Sequence, residues 1–559
     1  MENILSFLEP FLNIVLYLLR VLTPALSILI VIRCFVSMRR GRRSEDPVVI
    51  LEDVSSHAKI PVLYWENSIG RSRSCDIVLP DPNTSRDHAV LMRRETGWII
   101  TDTGSKSGTY VNHRKIKEPK ILKPGDIISI GSISLALKKA NHSATQEKSR
   151  KAVRRIPRPS LLLLLTTLVQ LLLAIQGCFV GESFSPTGFL PFGILLVLEW
   201  SSFLISSKGF HRVSFEVETV GFLLSGIGIS LLYAIEPRDA LVQAAAMTGG
   251  LILYFLLISF MSDPDRVMKW RLFIEIGAAL LFAVNLLFGV ASHGAQNWIS
   301  LGPITVQPSE FIKIAFVFAG ASTLDKLQTK KNLTEFLIFS GICIGALFLM
   351  RDFGTACIFF VTFLIVAFMR SGSIRTIVLV CAAAVFGLFI ILKFRPYIVA
   401  RFAAWGHVWE YADTTGYQQT RTLTYAASGG LFGVGLGDGY LKNVFAASSD
   451  LVFGVLCEEF GLVLALLAVA AIMLFVFYAR SDVTRSRSAF YSISACAAAG
   501  MLLFQTCLNI FGPTDILPLT GVTLPFISAG GSSMLAVWGL LAFLKASDER
   551  TYAVRRIKH

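Results

Sequence analysis

Between residues 11 and 36 the chain is almost uninterruptedly apolar, and the run ends at Arg39, Arg40, Arg42 and Arg43. A run of that length spans a bilayer, and a basic cluster directly behind it places its C-terminal end in the cytoplasm. The charges follow the apolar stretch and no small-residue cleavage site stands out, so the segment reads as an anchor and not as a signal peptide. From about 47 to 139 the pattern changes to short alternating strands broken by Leu79-Pro80-Asp81, Glu95-Thr96-Gly97 and Pro124-Gly125-Asp126, which predicts a soluble all-β domain. Residues 140–159 are polar and basic, a tether back to the membrane. After residue 160 about twelve apolar segments follow.

The loops between those segments alternate in character. Basic loops at 208–212, 263–271, 325–331, 370–375 and 480–487, together with Arg555, Arg556 and Lys558, fall in the cytoplasm if every segment crosses once. Loops 294–310, Arg351-Asp352, 394–450 and 513–531 then face outward, and they hold most of the unusual residues. The expected division is an anchor and basic stop (1–46), a β domain (47–139), a basic linker (140–159), two extra transmembrane helices (160–212), a helical core (213–546) and a basic cytoplasmic tail (547–559).

Composition agrees with this picture. Of 559 residues 53% are hydrophobic and 16% charged, more apolar content than one soluble core uses. The net charge of +14 sits in short segments beside apolar runs, so it reads as membrane topology and not as a nucleic-acid footprint. Nine cysteines without a C-x-x-C pair imply neither a disulfide framework nor a zinc site.

Within the β domain the order Gly70-Arg71, Asp76-Ile77-Val78-Leu79, Ser85-Arg86-Asp87-His88, Trp98, Gly108-Thr109-Tyr110-Val111-Asn112, Pro124-Gly125-Asp126 and Ile130-Gly131 resembles a forkhead-associated (FHA) domain over nearly its whole length. That resemblance implies a β-sandwich whose loops bind phosphothreonine. An Arg offers paired donors to phosphate oxygens and a Ser hydroxyl adds a short one. Arg71 and Ser85 match those roles, with Arg86, Ser107 and Thr109 completing the phosphopeptide-binding set. His88 matches the family's structural histidine, a strut for the Ser85 loop. Ser107 stands where the family often carries Asn.

The outward loops resemble a second family. Gly294-Ala295-Gln296-Asn297-Trp298-Ile299, Gln307-Pro308-Ser309-Glu310 with Lys313, Asp352-Phe353-Gly354-Thr355-Ala356, Gly416-Tyr417-Gln418, 428–435, Asp450 through Glu458-Glu459-Phe460-Gly461, and 518–533 look like the SEDS family of peptidoglycan polymerases (FtsW, RodA, SpoVE). The match covers about 213–544. It implies a polytopic all-α membrane bundle, about ten helices in the SEDS core plus about three extra, with the all-β FHA sandwich inserted on the cytoplasmic side.

Members of that family join the disaccharide of lipid II to a growing glycan, with undecaprenyl pyrophosphate leaving and inversion at the anomeric carbon. The reaction needs a base for the acceptor hydroxyl and cations for the leaving group. Asp450 matches the family's essential aspartate and lies where the long outer loop re-enters the membrane, partly desolvated and so a stronger base. On its residues alone, Ser448-Ser449-Asp450 ahead of an apolar run is a helix N-cap, a role compatible with the first. Lys313 and Arg401 are the candidates for pyrophosphate contact, with Arg351 and Lys393 behind them, and Gln307, Glu310 and Trp298 complete the substrate-binding set. Glu310 and Lys313, one helical turn apart, also suit a simple pair. A bridging divalent cation, Mg or Mn, suits a diphosphate, but no ligand cluster demands one and no metal ligand is assigned.

Two positions depart from the family: Asn297 stands where Arg is usual, and Lys442 where many members have Glu. The expected partners are lipid II, a class B penicillin-binding protein transpeptidase, because the chain has no Ser-x-x-Lys constellation of its own, and a Thr-phosphorylated protein at the FHA domain. Two other functions fit the same residues: a lipid II flippase, or an inactive phospho-dependent division scaffold.

Overall fold

The computed structural model describes residues 2–40, 49–139 apart from 63–64, 73–74 and 95–96, 159–322 apart from 182–183, 211, 213, 293–294 and 302–303, 330–385 apart from 372–373, 376 and 383–384, 404–483 and 488–548. A long helix, α1 (Glu2–Arg40), leads into eleven strands: β1 (Val49–Asp53), β2 (Lys59–Val62), β3 (Glu66–Gly70), β4 (Ile77–Val78), β5 (Ala89–Arg94), β6 (Gly97–Asp102), β7 (Thr109–Val111), β8 (Arg114–Lys115), β9 (Lys120–Leu122), β10 (Ile127–Ile130) and β11 (Ile133–Lys139). They form two sheets, ordered β2-β1-β11-β10-β7-β8 and β4-β3-β5-β6-β9. Successive side chains of a strand point to opposite faces. Ile128 and Ile130 of β10 therefore turn inward together, where they meet Leu51, Ile69, Leu91, Ile100 and Leu135 in a buried core. β1 pairs antiparallel with β11, Val49 beside Lys139, so the chain enters and leaves the sandwich at one place.

The remaining helices are α2 (Pro159–Gly177), α3 (Phe189–Leu204), α4 (Glu216–Ile235), α5 (Pro237–Phe260), α6 (Pro264–Phe288), α7 (Pro308–Ser322), α8 (Lys330–Leu349), α9 (Phe353–Ser371), α10 (Tyr417–Ser428), α11 (Val452–Val483), α12 (Ala489–Phe511) and α13 (Gly531–Ala546). Among the described residues eight helices are long and apolar enough to cross a membrane, and three shorter ones are also apolar. A helix satisfies its own backbone in lipid, which is why these runs adopt no other form. Trp538 of α13 anchors the bundle centre, its ring 5.0 Å from Phe222, 6.0 Å from Tyr254 and 6.0 Å from Phe526.

At the sandwich end of the bundle, buried charges are paired. Lys545 donates to Ser214 O at 2.6 Å and lies 3.1 Å from Glu218, which also accepts from the Tyr254 hydroxyl at 2.7 Å. Ser37 of α1 donates to Glu216. The sandwich itself touches the bundle where α12 starts: Ser488 Oγ donates to Glu66 Oε1 at 3.3 Å and Trp65 meets Tyr491 edge-on. β3 runs away from this contact, so Arg71 lies one strand length from it.

Two elements depart from the sequence expectation. The loop expected over 294–310 is largely built into a three-stranded meander of β12 (Val290–Ser292), β13 (Ala295–Leu301) and β14 (Ile304–Val306). Within the long loop 394–450, Tyr417–Ser428 is helical. Its Thr420, Thr422 and Thr424 hydroxyls all bond back to carbonyls of the preceding turn, which lets a polar segment stay helical.

Candidate functional site at the far end of the bundle

α12 runs from the sandwich contact to the opposite end of the bundle, and there its two amide side chains, Gln505 and Asn509, organise the polar residues. They are one turn apart and share a face. Asn509 Nδ2 donates to the carbonyls of Asp450 at 3.1 Å and Val522 at 2.7 Å. Ser528 Oγ donates to Ser449 O at 2.6 Å and accepts from Leu524 N–H at 2.7 Å, while Ala529 N–H reaches Ser448 O at 2.8 Å. Gln243 of α5 closes the ring, donating to Ser528 O and accepting from Gly530 N–H. The backbone carrying Asp450 is thus braced at three successive residues.

Asp450 stands two residues before α11, half-buried. Its N–H and that of Leu451 both donate to Ala446 O, at 3.0 and 3.1 Å, and Ala446 holds the left-handed φ of 61° that such a turn requires. Oδ2 faces the turn at Gly521, 3.2 Å from where a Cβ on that glycine would lie. The carboxylate is therefore set at a rigid boundary between an irregular segment and a helix, as its position in the sequence suggests.

Gln505 leads to the expected cation. Lys313 Nζ donates to Gln505 Oε1 at 3.0 Å and to Glu310 Oε1 at 2.7 Å, and the lysine is 1% exposed. Lys313, the expected pyrophosphate contact, is held by a carboxylate and an amide beneath the surface. Gln505 Nε2 in turn donates to Thr523 O and Oγ1, and Thr523 shares a hydrogen bond with Ser533. One chain of bonds therefore joins Glu310, Lys313, Gln505 and the segment that faces Asp450.

Asp352 forms a third node. Its Oδ1 accepts from Thr355 N–H at 3.1 Å, capping α9, while Oδ2 accepts from Asn297 at 3.0 Å and Gln307 at 3.2 Å. Asn297 thus gives Asp352 an uncharged donor where an arginine would form an ion pair. Trp298 lies half-exposed on β13, opposite Val290, and Arg351 is exposed with a φ of 61°. Arg401 and Lys393 lie outside the described residues. No group of three or more His, Cys, Asp or Glu that could hold a metal occurs among the described residues.

Beside Asp450, α11 is broken. Gly461 has φ 84° and ψ 167°, far from helical values. The backbone on both sides of the break pairs with the glycine-rich turn: Val434 and Gly435 donate to Glu458 O and Glu459 O, and Leu462 and Val463 donate to Gly430 O and Leu431 O. The Glu458 carboxylate accepts from the N–H groups of Tyr440 at 2.8 Å and Leu441 at 2.9 Å, and Glu459 from Gly437 at 3.0 Å. Lys442, the charge that departs from the family, donates to Gly437 O inside this turn. Gln418 of α10 reaches Phe445 O at 2.9 Å, tying that helix to the approach to Asp450.

The phosphate-type loops of the sandwich are built by two buried groups. His88 is fully buried, accepts from Ser85 N–H at Nδ1 (3.0 Å) and donates from Nε2 to Gly108 O (3.2 Å), the strut that the motif predicts. Ser85 Oγ accepts from Lys106 N–H, Ser107 Oγ donates to Asn83 O, and exposed Arg71 lies 3.4 Å from Pro82 O. Thr109, expected to contact a peptide, is fully buried and donates to Asp102.

Burial opposes the charge on Asp102, but donations from Ser105, Thr109 and the 104 and 105 amides outweigh it and hold its pKa below 3.8. A carboxylate lowered on folding stabilises fully above its ordinary value and loses that contribution as pH falls through the folded one. Amide protection at residues 104 and 105 should therefore begin to fall only below pH 3.8, and in Asp102→Asn it should already be lost above it, read by hydrogen exchange.

Taken together, these elements define a polytopic helical membrane protein with a fused phosphate-loop sandwich and a braced carboxylate at one end of its bundle. A family model described as "Cell cycle protein", FTSW_RODA_SPOVE, matches residues 223–552, and an FHA domain model matches 67–131. The probable peptidoglycan glycosyltransferase FtsW of Dichelobacter nodosus (strain VCS1703A) is 32% identical over 331 residues, 57% of this chain and 82% of its own. The peptidoglycan glycosyltransferase RodA of Mycobacterium tuberculosis (strain ATCC 25618 / H37Rv) is 26% identical over 351 residues, 58% of this chain and 75% of its own. A solved chain described under structural coordination of polymerization and crosslinking by a peptidoglycan synthase complex has the same fold, with TM-score 0.51 at 24% identity over 59% of this chain and 96% of that one. The chain belongs to the FtsW/RodA/SpoVE family and carries an FHA domain at its N-terminal side.

Proposed function

We propose that this protein polymerises lipid II at the outer face of the cytoplasmic membrane, with Asp450 as general base and the FHA sandwich in the cytoplasm. Kinship with FtsW and RodA makes it a peptidoglycan glycosyltransferase, and its FHA domain binds phosphothreonine-bearing partners. The observation that carries the site is the bracing of residues 448–450 from Asn509 and Ser528, which fixes one carboxylate at the bundle end. Preorganisation of that kind is what a base in a transfer reaction needs. Asp450 takes the proton of the acceptor sugar hydroxyl as its oxygen bonds to the anomeric carbon of the donor. The bond to the polyprenyl pyrophosphate breaks with its electron pair, and the anomeric carbon inverts.

Arg351 and Arg401 meet the pyrophosphate, flanked by Gln307 and Trp298, while Lys313 and Glu310 set the floor of the site. About ten helices form the polymerase core and about three precede it, an arrangement that puts both the sandwich and the C-terminus inside. Crosslinking falls to a class B penicillin-binding protein. Incubating the purified chain and such a partner with fluorescent lipid II should give a ladder of glycan strands on a gel. Binding of lipid II without any ladder would overturn the polymerase reading in favour of transport.

In the FHA domain Arg71 and Ser85 take the phosphate. Arg71→Ala should weaken binding of a phosphothreonine peptide to the full-length protein by about tenfold or more, as loss of a charge-assisted contact does, read by calorimetry against the unphosphorylated peptide.

A further inference from the structure

α1 lies outside the segment that matches the polymerase family, which begins at residue 223. It nevertheless carries two arginines, Arg20 and Arg33, inside its long apolar stretch, where a charge is costly. The Arg20 guanidinium donates to Val434 O and lies 3.4 Å from Asp438 Oδ2. The contact exists because the next residue is glycine: a Cβ on Gly435, whose φ is +129°, would sit 2.1 Å from Arg20 Nη2.

This places α1 on one side of the same turn that Glu458 and Glu459 hold from the other. Gln176 of α2 donates to Thr23 Oγ1 at 3.2 Å, so α1 is itself fixed to its neighbour. Val180, just past α2, packs over Gly437. The turn leads through residues 441–447 directly into the Asp450 bend.

We propose that Arg20 is a positioning residue for glycosyl transfer, clamping the glycine-rich turn and thereby setting the approach to Asp450. The accessory N-terminal helix is then part of the polymerase and not only an anchor for the sandwich. The proposal rests on the reading of Asp450 as the base. Of the two contacts, the Val434 carbonyl bond carries the clamp, because the Asp438 carboxylate is largely exposed and an exposed ion pair contributes little.

The test uses the full-length protein with its penicillin-binding partner and two readouts, amide hydrogen exchange at residues 434–443 and steady-state lipid II polymerisation. Arg20→Ala should speed exchange there about tenfold and lower kcat about tenfold with KM within about twofold, the pattern of a misplaced but still binding site. Arg20→Lys, which keeps a donor, should recover much of both, and Asp438→Ala should change neither by more than about twofold. Gly435→Ala, which pushes the guanidinium away from the other side, should reproduce Arg20→Ala.

Unchanged exchange in both Arg20→Ala and Gly435→Ala would overturn the clamp. Faster exchange with unchanged kcat would show a clamp that does not serve the reaction and would also overturn the proposal. If the wild type makes no polymer, the base reading fails and this proposal with it, while the exchange data still report whether the clamp exists.

Discussion

Asp450→Ala should abolish polymer formation, lowering the rate by about a hundredfold to ten-thousandfold, the range over which a positioned general base acts. The side chain stands half-buried in a bend whose backbone is held by Asn509, Ser528 and Ala529. None of those bonds uses the Asp450 carboxylate, so its removal should leave the bend in place and lipid II binding within about threefold, a substitution that removes chemistry and spares binding. Asp450→Asn should be as inactive as Asp450→Ala, because an amide keeps the shape but accepts no proton. The gel assay described above checks the rate, and lipid II binding in detergent checks the fold. A variant that binds and still polymerises at the wild-type rate would remove Asp450 from the chemistry.

The second large effect concerns stability. Glu458 is 1% exposed and its two oxygens accept from the Tyr440 and Leu441 amides. Glu458→Ala leaves both amides without an acceptor, at about 1–3 kcal/mol each, or roughly 2–6 kcal/mol in all. That is a large fraction of the total stability of an ordinary domain. The expected result is a lower midpoint of thermal unfolding and tryptic cutting after Lys442, a residue now tucked into the turn through Gly437 O. Glu458→Gln keeps one acceptor and turns an NH2 toward the other amide, so it should fall between the two. Equal melting of all three proteins would mean that the turn is held elsewhere.

Much of this was readable in the residues. The sandwich announced itself because alternation and turn signals are local, and the motif blocks around Arg71, Ser85 and Gly108 fix its loops. The membrane helices followed from run length. Asp450 stood out through the resemblance of its motif block, whereas on its residues alone Ser448-Ser449-Asp450 reads as a helix N-cap. The β12–β14 meander was not legible, since two of its three strands have only three residues each and show too little alternation to register.

Gln505 and Asn509 were also missed. Two amides a turn apart in an apolar helix were the available signal, but each alone resembles ordinary interhelical bonding. The break at Gly461 was silent because glycine is common in membrane helices, and its conformation depends on a turn about thirty residues earlier in the chain. Arg20 was hidden for a related reason: within a single run it reads as a flaw in an anchor, and only folding brings Val434 to it.

The break in α11 also bears on how the chain is made. Val452–Phe460 alone would reach roughly 14 Å, less than half the thickness of the hydrocarbon core. In the sequence, residues 452–481 form one apolar stretch long enough to cross. Gly461 can leave the helical region only once residues 430–435 supply partners for the freed carbonyls and amides on either side. The break in α11 therefore waits on tertiary assembly with residues 430–435 within the membrane.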